Sequence, residues 1–131
     1  MSKITPFVLI TFLLIVNYSC RKVEGEGGSS EIIGKVIIRD FDALGNLIEE
    51  YAAQDQRVYI IYGDDDNIYD DDFDTSFDGS FRFQFLTKGT YTLFVYEDCN
   101  SCPSGEQAVT KTVEIDENNA TVEVEDLIIE K

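Results

Sequence analysis

The chain has 131 residues, with 26 acidic against 10 basic side chains, a formal charge of −16, and neither histidine nor tryptophan. A field of that sign repels nucleic acid and anionic lipid. The lack of histidine excludes Ser–His and Cys–His nucleophile pairs, so composition points away from an enzyme.

In chain order, the first feature is a short basic start, Met1-Ser2-Lys3, then an apolar stretch, Phe7 to Val16, then Asn17-Tyr18-Ser19-Cys20. The apolar stretch falls short of the ~20 residues a bilayer span needs. The layout resembles a bacterial lipoprotein signal peptide over residues 1–19, cut before Cys20, which takes the lipid. Ordinary secretion with cleavage near Ser19 is the alternative. Both readings place the protein outside the cytoplasm. The lipid reading anchors it to a bacterial membrane, on the periplasmic or cell-surface side of the outer membrane. Loss of Lys3 with the signal leaves 9 basic and 26 acidic residues, a charge of −17. Residues 20–30, rich in glycine and serine, read as a flexible tether after the lipidated cysteine. Residues 31–131 remain as one domain with one modest core.

Short alternating runs separated by turn residues predict an all-β domain. Ile33 to Arg39 is the first strand, with Gly34, Val36 and Ile38 on one face. Asp42 to Asn46 is a turn, and Leu47 to Gln56 reads as a segment bridging the sheets. Arg57 to Tyr62 is apolar on both faces and is expected to be central. An acidic loop, Gly63 to Asn67, leads to an extended edge over Ile68 to Ser76. Asp78-Gly79 is a strong turn signal. Ser80 to Phe85 then alternates, with Phe81, Phe83 and Phe85 on the core face. After Thr87-Lys88-Gly89, the strand Thr90 to Tyr96 points Tyr91, Leu93 and Val95 inward. Val109 to Ile115 and Thr121 to Ile129 are the last two strands. No repeat or second domain is present.

Several of these segments carry a family pattern in order: Gly34-Lys35-Val36, Gly45-Asn46-Leu47, Arg57-Val58-Tyr59-Ile60, Thr75 to Phe83, and Leu86 to Leu93. This resembles the carboxypeptidase regulatory-like domain of the prealbumin-like (transthyretin-like) group. The resemblance implies a single seven-stranded antiparallel Greek-key sandwich, Ig-like in architecture, and an accessory or structural role. Fold alone does not imply function.

Three features carry candidate chemistry. Asp64, Asp66, Asp70, Asp72, Asp74 and Asp78 crowd one region, and calcium takes six to eight oxygen ligands from such loops. Phe85 stands where an EF-hand needs its twelfth-place glutamate, so only a looser calcium loop is compatible. The plainer reading is a solvated, charge-protected sheet edge. Cys99 and Cys102 make an even pair in an exported chain and read as a disulfide. They lack the helix N-terminus of a redox site and the further ligands of a zinc site. Phe94 and Tyr96 face outward if Tyr91, Leu93 and Val95 face inward, and exposed aromatics can stack on sugars or dock a protein. The expected function is a non-enzymatic, membrane-anchored extracytoplasmic binding or accessory module. Its partner is a protein or a glycan, and it needs no cofactor unless calcium is bound. A structural stalk or assembly subunit, and a calcium-stabilised adhesion domain, are the alternatives.

Overall fold

The structure is a computed structural model that describes residues 24–64 and 68–131. It is all-β. Nine strands are present among the described residues: β1 (Glu26–Phe41), β2 (Leu47–Ala52), β3 (Arg57–Tyr62), β4 (Asp71–Asp74), β5 (Ser80–Leu86), β6 (Gly89–Asp98), β7 (Glu106–Ile115), β8 (Thr121–Glu123) and β9 (Leu127–Glu130).

They form two sheets. One has the order β4-β3-β6-β7 and is antiparallel throughout. The other is built on β1, which is long enough to serve two sets of neighbours. The first half of β1 pairs with β5 and β8, and its second half with β2 and β9. Alternation explains the inward faces. Ile32, Val36 and Ile38 of β1 and Val58 and Ile60 of β3 are buried, as are Tyr91, Leu93 and Val95 of β6. These side chains, with Phe81, Phe83, Leu127 and Ile129, make one core between the sheets. Burying each such side chain contributes about 1.5–3 kcal/mol. Slipping a strand by one residue would turn its apolar set to water.

The strand count is nine rather than the seven that the resemblance implies, and pairing is not wholly antiparallel, because β8 and β9 run parallel to β1. The segment read as one last strand is split at Val124 to Asp126, where the Val124 amide donates to the Ile33 carbonyl at 3.0 Å. Leu47 to Gln56 bridges the sheets: Leu47–Ala52 is β2 beside β1, and the Asp55 amide and Gln56 carbonyl bond the Thr75 backbone at the end of β4. The positions of β3 inside its sheet and β4 at its edge match the sequence reading.

The expected tether is the largest correction. β1 begins at Glu26, inside residues 20–30. Ser30 is buried; its hydroxyl donates to the Glu117 carbonyl at 2.8 Å and accepts the Ala120 amide at 3.1 Å. The small residues there answer a steric demand: a Cβ at Gly28 would overlap the Leu86 carbonyl oxygen. Gly25 is docked as well. Its amide donates to the Tyr91 hydroxyl at 3.0 Å, and its carbonyl accepts the Thr87 amide at 2.9 Å. The Tyr91 hydroxyl in turn donates to the Thr87 carbonyl at 2.7 Å, the local loop of a tyrosine corner.

Phe85 is the second correction. Phe81 and Phe83 face the core, but Phe85 is 67% exposed, with φ of +59°. Between Ser30↔Leu86 and Ile32↔Phe83, β5 spends one residue more than β1. That bulge turns Phe85 out and gives Leu86 the inward place. The Asp78-Gly79 turn forms as expected. Gly79 takes φ of +78°, and a Cβ there would lie 2.5 Å from the Val36 carbonyl oxygen. Upstream of it, buried Thr75 donates its hydroxyl to the Ala53 carbonyl and accepts the Gln56 amide at 2.9 Å, tying the β2–β3 corner to the end of β4.

Candidate functional site

The four-stranded sheet has one face in the core and one in solvent. Val58 and Ile60 point inward, so Arg57 and Tyr59 point outward. The same alternation on β6 sends Phe94 and Tyr96 outward beside them. Tyr59 lies directly opposite Phe94 in the β3–β6 ladder, and their rings stack at 4.9 Å and 15°. Tyr96 meets both edge-on, at 5.7 Å from Tyr59 and 5.5 Å from Phe94. Tyr69, from the segment before β4, tilts onto Tyr59 at 4.6 Å. Four aromatic rings thus form one patch on the outer face. Tyr69 is 45% and Tyr96 43% exposed, while Tyr59 and Phe94 are half-buried beneath them.

Beyond the rings, the β7 positions opposite Phe94 and Tyr96 are Thr110 and Ala108, which leave the face flat. On the β4 side the patch is bounded by charge. Arg57 Nε lies 2.9 Å from Asp74 and 3.0 Å from Asp72. The hydrogen bond with Asp74, then the charges of Asp74 and Asp72, hold the guanidinium protonated even more firmly than usual, and the same hydrogen bond lowers the Asp74 carboxyl. These side chains are about half exposed, so water screens the pair and its net contribution to stability is small. Its use is geometric: Nε and Nη2 both donate to Asp74, which fixes the guanidinium at the edge of the aromatic patch. Burial raises the Tyr59 phenol, against the opposing pull of Arg57, so its hydroxyl stays protonated near neutral pH.

A groove of about 410 Å³ continues from this patch, walled by Arg57, Tyr59, Tyr96, Asp98, Glu106 and Glu130. Glu97 fixes one side of it: its carboxylate accepts from Gln107 Nε2 at 2.5 Å and from the Glu130 amide at 2.9 Å, joining β6, β7 and β9. Apolar ring faces beside hydrogen-bonding side chains suit a ligand that is itself amphipathic, such as a sugar ring.

Phe94 and Tyr96 are brought together on one face. Tyr59 and Tyr69 were missed; the available signal was the shared outward parity of Tyr59 with Phe94, which needs the register to be read. Cys99 and Cys102 are disulfide-bonded, with Cα atoms 5.3 Å apart, in the β6–β7 loop. The aspartates are not brought together as a calcium site. Asp72 and Asp74 are held by Arg57 on the outer face. Asp70 accepts the Tyr62 amide at 2.7 Å. Asp78 accepts the Ser80 hydroxyl at 2.6 Å and amide at 3.1 Å inside its turn. Asp64 is exposed, and Asp66 lies outside the described residues. Asp72 and Asp74 share Arg57, turn closure takes Asp70 and Asp78 elsewhere, and no group of three or more metal-ligating side chains occurs among the described residues. Cys20 also lies outside the described residues.

No family model matches the chain, and no curated protein matches it. Among solved structures, a candidate carbohydrate binding protein from Pseudomonas aeruginosa superposes with a TM-score of 0.48 at 15% identity. The alignment covers 82% of this chain and 91% of that one.

Proposed function

We propose that this chain is a non-enzymatic binding module that takes a glycan on the outer aromatic face of the β4-β3-β6-β7 sheet. The observation that carries the reading is the joined set Tyr59, Tyr69, Phe94 and Tyr96, opening onto the groove beside Arg57. Ring faces supply apolar contact for the C–H side of a sugar. The guanidinium N–H groups of Arg57 that Asp74 does not take, together with the groove's carboxylates, supply partners for its hydroxyls. The absence of histidine from the whole chain supports binding over catalysis.

The wider setting belongs to the same proposal. The signal-like residues 1–19 support export and lipidation at Cys20, which would anchor the module to a bacterial membrane on its extracytoplasmic side. The ordered motifs from Gly34 to Leu93 support a prealbumin-like domain with Greek-key connections. In that setting the module would assist glycan capture beside larger membrane proteins.

The test is affinity electrophoresis of the purified full chain through gels containing neutral or amino-sugar polysaccharides. Retardation by at least one polysaccharide is expected, weakened about tenfold in Tyr96→Ala and Tyr69→Ala, a loss of about 1.4 kcal/mol per ring. Retardation that survives both substitutions would place the ligand elsewhere, and none with any polysaccharide would reject the glycan reading.

A further inference from the structure

The two sheets treat their edges differently. β4 is short and carries Asp71, Asp72 and Asp74. β7 places Lys111 in register with inward-facing Leu93 and ion-pairs it with Glu125 at 2.9 Å. β5 presents Arg82 and Gln84, and β8 and β9 are three and four residues long. Short length, charge and inward-pointing lysine are the usual devices against unwanted strand pairing. β2 shares some of these devices, with Glu49, Glu50 and a register shift where it meets Asp40 and Phe41, but it also exposes apolar side chains. Among the described residues it pairs only with β1, and Leu47 to Tyr51 are all exposed. Leu47 is 53% and Ile48 66% exposed, with Leu44 in the preceding turn at 89%. Contiguous apolar exposure on an unpaired edge marks an interaction surface.

The charges of β2 say what would cover it. Glu50 lies opposite Arg39 and bonds it at 2.6 Å. Glu49 lies opposite Asp40, a like-charge cross-strand pair, and neither has a salt-bridged cation among the described residues. Like charges directly opposed destabilise a ladder. A cation on a further strand, opposite Glu49, would relieve that repulsion, and apolar side chains at the alternate positions of that strand would lie on its other face. A second copy of this chain fits poorly, because antiparallel self-pairing about the Glu49–Glu50 centre would oppose glutamates, and each copy carries −16.

We infer that the free edge of β2 docks an extended segment of a partner protein in which apolar and basic side chains alternate. Main-chain hydrogen bonds supply affinity in such strand addition, and the alternate side chains supply specificity. This surface is separate from the aromatic face, which lies on the other sheet.

The probe is an eight-residue peptide of alternating valine and lysine, with the same peptide bearing glutamate for lysine as its control. It is added to the full chain at physiological salt. Binding is read by fluorescence anisotropy, and the bound edge by amide hydrogen exchange. The lysine peptide is expected to bind and to slow exchange over residues 47–52. Affinity should fall about tenfold in Glu49→Lys, as one cross-strand attraction becomes a repulsion, and not at all in Glu114→Lys on β7. Glu49→Gln, which keeps the size of the side chain, should lose about threefold and covers the case where Glu49→Lys does not fold. Equal losses in the β2 and β7 variants would overturn the inference, leaving only attraction to an acidic protein. Slowed exchange elsewhere, no binding, or a homodimer protected at β2 would overturn it too.

Discussion

Replacing Tyr91 by phenylalanine should destabilise the domain far more than the loss of one oxygen suggests. The Tyr91 side chain is fully buried, and its hydroxyl accepts the Gly25 amide at 3.0 Å and donates to the Thr87 carbonyl at 2.7 Å, with the Gly25 carbonyl a longer contact at 3.5 Å. Removing it leaves the amide of buried Gly25 without that partner. An unsatisfied buried donor costs about 1–3 kcal/mol. For a domain of about 100 residues, each kcal/mol moves Tm by about 4–8 °C. Taking about 2 kcal/mol, Tyr91→Phe should melt roughly 8–16 °C below the parent in thermal unfolding followed by circular dichroism. Tyr96→Phe, whose ring lies on the outer face, is the control and should change Tm by no more than ~2–4 °C, as surface substitutions do. Hydrogen exchange should locate the damage at residues 24–30, where the chain is docked by this contact. A Tm within ~2 °C of the parent would refute the reasoning and return residues 24–30 to the role of a tether.

Three further outcomes follow from particular contacts. Gly28→Ala forces a methyl group against the Leu86 carbonyl, so it should lower Tm by several degrees where a flexible tether would show no change. Asp74 has a folded pKa held below its ordinary value by Arg57; its stabilisation is therefore present above the unfolded carboxylate pKa and is lost as pH falls through the folded one. The melting difference between the parent and Asp74→Asn should be small at pH 7 and disappear as pH falls below the ordinary carboxylate range. Reducing the Cys99–Cys102 disulfide opens a loop of only four residues, worth at most about 2 kcal/mol by chain entropy. The melt with reductant should be lower by no more than that and still cooperative.

Where burial on one face decides the outcome, the strands were legible: the inward set Tyr91, Leu93 and Val95 and the pair Phe81 and Phe83 follow from alternation alone. Alternation failed at Phe85, because a bulge depends on how β5 meets β1, and no local preference places a phenylalanine at positive φ. Composition misled at residues 26–30. Glycine and serine suit a flexible linker, but they also suit a backbone crowded against its neighbour, and only the packing tells the two apart. The aspartates looked like a cluster because they are close in sequence, while strand parity gives Asp72 and Asp74 to Arg57 and turn closure gives Asp70 and Asp78 to backbone and hydroxyl donors nearby. For the candidate site, the outward parity of Phe94 and Tyr96 was readable. Tyr59 and Tyr69 were not, since their meeting requires the β3–β6 register and the path of the chain into β4.

The central claim is that the outer aromatic face binds a glycan. The most direct measurement is a nuclear magnetic resonance titration of the full chain with whichever polysaccharide fragment retards it, following the aromatic ring signals. The account predicts that Tyr59, Tyr69, Phe94 and Tyr96 shift together, while exposed Phe77 and Phe85, which lie outside the ring cluster, stay unchanged. Shifts at Phe77 or Phe85 with the four-ring set unmoved would contradict it.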